Sequence, residues 1–400
     1  MGFDVRAVRE QFPALGEGAA HFDGPGGTQV PRVVAEAVAD VLTSAVSNRG
    51  RGTASERRAD DIVHAARAAV GDFVGVDPRG IVFGRSMTQL TYDFARTLAK
   101  RWRPGDEVVV TRLDHDANIR PWVQAAAAVG ATVRWVDFDP GTGELSAADV
   151  AAALSERTRL VALTAASNLI GTRPPVREIA GLVHAAGALL YVDGVHYAAH
   201  SLVDLSGLGA DFFVCSPYKF CGPHLGVLAA RPERLESLVP DKLLPATDLV
   251  PERFEFGTLP YELLAGTTAA VDFLADLTSA VGSRRERLQA SLAAVHAHED
   301  DLRRRLETQL ATLRGVVIYS RAARRTPTLL LSIDQHPSPA VQRQLAQHGV
   351  NAPAGSFYAV EASRTLGLGD TGAVRLGIAP YNDHADVDRA LAGIAELASA

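Results

Sequence analysis

The chain has 400 residues, of which 47% are hydrophobic, 22% charged and 6% aromatic, with a formal net charge of −6. This is enough apolar material for a sizeable core in two or three domains, and so mild an acidic balance offers no field for nucleic acid. No apolar run reaches the ~18 residues of a membrane span, and the charged start MGFDVRAVREQF lacks the apolar stretch of a secretory signal.

From about Pro31 to about Leu277, short apolar strands alternate with alanine-rich helices. The pattern predicts helices over 33–42, 59–74, 88–102 and 175–186. It predicts strands over 80–84, 107–112, 132–136, 160–164, 188–192, 211–215 and 226–229. Such alternation points to an α/β fold with a mostly parallel sheet. Segment 283–313 is highly charged and reads as a connecting helix with one solvated face. Strands at 316–319, 328–333 and 373–378, with helices near 340–347 and 384–397, then predict a smaller C-terminal α/β domain. The expected layout is an arm over 1–30 that joins the small domain or a dimer interface, a large domain over 31–282 and a small one over 283–400. Cys215 and Cys221 are too few for a disulfide framework and match no common zinc spacing. A reducing, cytoplasmic home is the expectation.

Ligands of a parallel α/β sheet bind beyond the carboxyl ends of its strands, so the residues that follow each strand carry the chemical clue. They include Ser86-Met87-Thr88 at a helix start, Asp114-His115-Asp116, Ser167-Asn168, Asp193 with His196 three residues on, and Ser216-Pro217-Tyr218-Lys219. Each type alone reads as a cap or turn residue; the conjunction suits one cofactor, pyridoxal 5′-phosphate (PLP). A helix N-terminus with hydroxyls takes a phosphate. An aspartate keeps a pyridine nitrogen protonated, so that the ring acts as an electron sink. A lysine forms a Schiff base and later moves protons. A flat imidazole stacks on the ring, and an amide and a second imidazole bond its 3′-oxygen.

The stretches FDGPGGTQVP, TRLDHDANIRPW, ASNLIGT, YVDGVHYAAH, CSPYKFCGPHLGVL and FEFGTLPYELLAG resemble the class V aminotransferases, most closely their cysteine desulfurase-like branch. The resemblance runs from about Asp4 to the C-terminus. It implies PLP fold type I: a large domain with a seven-stranded, mixed but mostly parallel sheet, a small C-terminal domain, and a homodimer with shared active sites. It implies that Lys219 carries PLP, Asp193 pairs with the pyridinium, and His196 and Asn168 contact the 3′-oxygen side. His115 would stack on the ring, and Met87, Thr88 and Ser216 would form the phosphate cup. Thr258 would reach the phosphate of the other subunit, and Arg375 would grip the substrate α-carboxylate.

Other readings of the same residues are plain ones. Asp193 can be a helix cap, His115 structural, and Arg375 a surface ion-pair residue. His196 and His200 are four apart, as metal ligands on a helix are, but no third ligand is apparent. Gly24-Pro25-Gly26-Gly27 lacks the lysine of a phosphate loop and reads as a turn near the site.

One departure from the resemblance matters. Cysteine desulfurases carry a catalytic thiol on a mobile loop before the carboxylate-binding arginine, whereas residues 351–372, NAPAGSFYAVEASRTLGLGDTG, contain no cysteine. The expected chemistry is therefore cleavage of a Cβ substituent, C–S above all, by β-elimination on an amino acid. Transamination and racemisation remain alternatives. A PLP-binding regulator or scaffold is a distant one, since the roughly 20 residues before the core are too few for a DNA-binding helix-turn-helix.

Overall fold

The computed structural model describes residues 3–399. Seven strands join in one sheet, in the order Ile81–Gly84, Gly226–Ala230, Phe212–Cys215, Leu189–Asp193, Thr158–Thr164, Glu107–Thr111 and Thr132–Val136. Gly226–Ala230 runs antiparallel to both neighbours, and the other pairs are parallel. The sheet is thus mostly parallel, as the alternating pattern predicts, and mixed and seven-stranded, as the resemblance implies.

Its strands read as continuous apolar runs because both faces are covered. Val161 and Leu163 point into one core, with Val63, Phe73, Val271 and Leu274. Leu160 and Ala162 point into the opposite one, with Leu90, Phe94 and Trp122. That alternation is the two-residue period of a strand. Thr132–Val136, at the sheet edge, is the exception in burial, with Thr132 and Arg134 exposed. A charged side chain there discourages pairing with another chain.

The helices follow the expected order with shifted ends. The second long helix starts at Ala54 rather than at 59, because Thr53 and Glu56 form a capping box. Helices Arg120–Val129 and Tyr261–Ala275 lie outside the predicted set; each starts at a proline, Pro121 and Pro260, which the first turn tolerates.

The C-terminal third forms a second, antiparallel sheet in the order Ala354–Gly355, Ala373–Gly377, Thr328–Ile333 and Val316–Ile318. It packs on its own core of Leu329, Leu331, Val374 and Ile394. The N-terminal segment runs alongside this part of the fold. Ala20–His21 pairs in parallel with Val350–Asn351, and Arg9 bonds Asp386 at 2.7 Å. Helix Arg284–Leu310 spans 27 residues and buries Leu288, Leu292, Val295, Leu302, Leu306 and Leu310 on one face. Glu299 lies on that same buried face.

Candidate active site

At the carboxyl ends of the parallel strands, a cavity of about 650 Å³ is lined by Met87, Thr88, His115, Asn168, Asp193, His196, Lys219 and Arg375. Two expected residues stand apart. Ser216 is fully buried and not in the lining, and Thr258 is exposed and outside the cavity.

The sequence fixes each of the lining side chains locally. Strand Leu189–Asp193 ends on Asp193, whose carboxylate accepts a hydrogen bond from the Val195 N–H at 2.9 Å. Burial raises this carboxyl to about 6, against the pull of the Val195 N–H and Lys219. Pro217 opens a one-turn helix, Pro217–Lys219, that brings Lys219 to the cavity. Lys219 Nζ donates to the Pro25 carbonyl in the Gly24–Gly27 turn. Burial, then Arg375, pushes the amine down to about 7, while Asp193 opposes the shift.

His115 caps the short turn Asp116–Asn118, its Nδ1 accepting from the Ala117 N–H at 3.0 Å. The proton of the neutral ring is therefore on Nε2. Burial, with Lys219 and Arg375 adding, lowers this imidazole to about 4, so it is neutral at physiological pH. Beneath it, Asp114 is fully enclosed and accepts from Asn118 Nδ2 at 2.7 Å; burial raises it to about 8. Ser86 caps helix Met87–Ala99, accepting from the Gln89 N–H at 3.1 Å, and Met87 and Thr88 face the cavity. A Cβ on Gly226 would stand 2.2 Å from the Ser86 carbonyl carbon, so only glycine lets the strand pass this close to the helix start.

Arg375 comes from the C-terminal sheet. It is 2% exposed, donates Nη1 to the Asn168 carbonyl at 2.8 Å, and lies 3.7 Å from the centre of the Phe357 ring. Its Nε has no partner, and burial brings the guanidinium down to about 9. A buried cation with no carboxylate bonded to it is prepared for an anion.

The family pattern Aminotransferase class-V matches residues 20–390. The chain belongs to the class V aminotransferases. An uncharacterised protein of Mycobacterium tuberculosis is 35% identical to it over 401 residues, covering 99% of this chain and 100% of that one. A probable cysteine desulfurase of Mycolicibacterium paratuberculosis is 32% identical over 409 residues, covering 99% of this chain and 58% of that one. The cysteine desulfurase CsdA of Escherichia coli superposes with a TM-score of 0.87 at 26% identity, covering 99% of both chains. This class V member is thus a cysteine desulfurase-like enzyme of PLP fold type I, and its cofactor is PLP.

The site fits that cofactor. Asn168 Oδ1 and Ser216 Oγ are buried without a hydrogen-bond partner, which a group bound nearby would remedy. A helix start faces the cavity, as a phosphate requires. Asp193 is enclosed, with Lys219 as the nearby cation.

Sequence reasoning gave no role to much of the wall. Tyr92, Asp116, Arg120 and Tyr218 also line the cavity, as do Phe357 and Tyr358. Arg120 pairs with Asp116 at 2.8 Å and with Glu361 at 2.7 Å. Phe357 and Tyr358 both have positive φ, 52° and 59°, conformations costly for bulky residues. The segment 355–359, a strap across the cavity, is held by two bonds to the large sheet's loops. Asn168 Nδ2 donates to the Phe357 carbonyl at 2.9 Å, and the Asp116 N–H donates to the Tyr358 carbonyl at 2.8 Å. The Tyr358 ring stacks on His115 at 5.5 Å. Phe357-Tyr358-Ala359 was the available signal, but its reach across to His115 and Arg375 is a matter of tertiary structure.

Proposed function

We propose that this enzyme cleaves the bond between Cβ and its substituent in an amino acid, C–S first of all, by β-elimination that uses no enzyme thiol. The carrying observation is where the thiols are. The segment 351–372 that covers the site has no cysteine, and Cys215 and Cys221 are both buried. Burial pushes Cys221 up to about 12 and raises Cys215 further. A sulfur-accepting nucleophile needs exposure and a lowered pKa, and neither thiol has them.

PLP, when bound, supplies a sink for the electrons released at the substrate α-carbon. Lys219 is the residue that would hold it covalently, with Asp193 keeping its ring nitrogen protonated, His115 against its face, and Asn168 and His196 at its 3′-oxygen. Met87, Thr88 and Ser216 would hold the phosphate, joined by Thr258 of a second copy. Arg375 binds the α-carboxylate and so orients the substrate. Lys219 Nζ, freed when the substrate amine takes its place, would take the α-proton; the leaving group would depart with the Cβ bonding pair and gain a proton. Overall, one water is consumed, and the products are the protonated leaving group, pyruvate and ammonium.

The reading places the enzyme in the cytoplasm as a homodimer. What supports the dimer is the succession of exposed large apolar side chains in the segment before Thr258, namely Leu243, Leu244, Leu249 and Phe256. Among the described residues, no helix is long and apolar enough to cross a membrane.

The test is product analysis over a panel of amino acids, with sulfide, pyruvate, alanine and keto acids measured together, alongside mass spectrometry of the protein. Pyruvate and sulfide without protein persulfide support elimination. Alanine with a persulfide on Cys215 or Cys221 overturns it in favour of desulfuration.

A further inference from the structure

His196 and His200 share the spacing of a metal-binding pair, but the structure uses them otherwise. They flank the short turn Tyr197–Ala199, and their rings meet edge to face at 5.0 Å and 76°. His200 Nδ1 lies 2.9 Å from Glu299 Oε2. Both residues are buried, with Glu299 at 0% exposure, and Glu299 Oε1 has no hydrogen-bond partner. On the other side, His196 Nε2 sits 2.9 Å from both Thr326 Oγ1 and Thr328 Oγ1. Among the described residues, no group of three or more His, Cys, Asp or Glu is placed to hold a metal.

A fully buried carboxylate is expensive unless a donor compensates it. Among the described residues, the hydrogen bond to this carboxylate comes from the His200 ring, which therefore carries its proton on Nδ1 and is fixed in plane. That plane is what the His196 ring packs against. Burial, with His200, Arg375 and Lys219 adding, holds His196 well below the ordinary imidazole value, so it is neutral. A neutral imidazole donates from one nitrogen only. Thr326 Oγ1 donates to the Gly171 carbonyl and to Thr328 Oγ1, so Thr328 Oγ1 is the hydroxyl that donates to the single lone pair of Nε2, and the proton of His196 is left on Nδ1. His196 lines that cavity, and it also lines a small void of about 10 Å³ shared with His200, Lys219 and Cys221.

We propose that Glu299, on the long helix outside the cavity, is a positioning residue of the active site. Through His200 it fixes the ring of His196, and with it the proton that His196 offers to the cofactor's ring oxygen. This rests on the reading of His196 as the ring-oxygen contact. The role belongs to no residue of the cavity wall, and it ties the C-terminal part of the chain to the site from two sides. Glu299 acts from helix Arg284–Leu310, and the threonines act at strand Thr328–Ile333.

The test uses Glu299→Gln, which keeps shape and removes charge, and Glu299→Leu, which removes the bond as well. Side-chain ¹⁵N resonances of His196 and His200 are recorded in the full-length protein, first free of cofactor and then with PLP added. Both variants are expected to shift the His196 signals in the cofactor-free protein. With PLP, kcat should fall roughly 10–100-fold, by analogy with the loss of outer partners of metal-ligating histidines. KM should hold, because Arg375 is untouched. His196 signals and kcat unchanged in both variants would overturn the proposal. If His196 instead ignores PLP in the wild-type protein, the reading of His196 itself fails, a separate outcome. Should neither variant fold, His200→Gln interrupts the same chain from its other end and is read by the same signals.

Discussion

At the scale of single residues, burial is the common cause. Lys219, Asp193, His115 and Arg375 all shift in the direction that disfavours their charged form, with desolvation the largest contribution to each. For Lys219 this has a measurable consequence. Only the neutral amine attacks an aldehyde, and its value is lowered from 10.5 to about 7. The rate of covalent PLP loading onto the cofactor-free protein should therefore rise about tenfold per pH unit below about 7 and level off above it. An ordinary lysine would keep gaining through pH 9; stopped-flow absorbance across pH 5–9 distinguishes the two. Lys219→Ala should lose the borohydride-sensitive yellow band and cut turnover by at least roughly 10²–10⁴-fold, the worth of a positioned acid–base group. Asp193→Asn keeps the shape but not the charge. It should leave PLP bound while slowing turnover by roughly 10²–10³-fold, the scale of a lost electrostatic contact at a reacting centre. Near-wild-type kcat in that variant would remove Asp193 from the role. The double change Cys215→Ala, Cys221→Ala should keep most activity at a packing cost of a few kcal/mol at most, read by thermal melting and steady-state rates.

At the scale of elements, the strap over residues 355–359 lies within the cysteine-free segment 351–372. It is pinned through the Phe357 and Tyr358 carbonyls. Its cost is two bulky residues at positive φ, and its return is the Phe357 ring over the Arg375 guanidinium. A desolvated cation–π contact is worth about 2 kcal/mol. Phe357→Ala should therefore raise KM for the amino acid by roughly 30-fold, with a smaller effect on kcat. A fall in kcat alone would mean that the ring serves the reacting centre and not the carboxylate grip. The strands were legible because a sheet covered on both faces demands continuous apolar runs. The strap was not, because its conformation is imposed by Asn168 and Asp116, which lie far away in sequence.

For the whole molecule, the question is what completes the site. Thr258 is exposed and outside the cavity, two residues after the exposed Phe256. The reading of a shared site gives it a place at the subunit interface. Sedimentation should show a dimer, and Thr258→Ala should weaken PLP retention without unfolding the protomer. A monomer with full activity would refute the shared site.

The sequence by itself determined the parallel α/β sheet, through alternating apolar strands and helices. It also determined which groups stand at the strand ends, since Asp193, Lys219 and His115 sit within a few residues of the strands that present them. Local chain geometry suffices for that. Only the tertiary structure decided what closes over those groups. Arg375 reaches Asn168 across 207 residues, and His200 meets Glu299 across 99. Glu299 is the sharpest case. In sequence it is one more charge in a helix rich in them, and a solvated face was the natural reading. Its place on the buried face, among Leu292, Val295 and Leu302, follows from the 3.6-residue period. That a carboxylate is tolerated there depends on a histidine from another element, and no local pattern encodes that pairing.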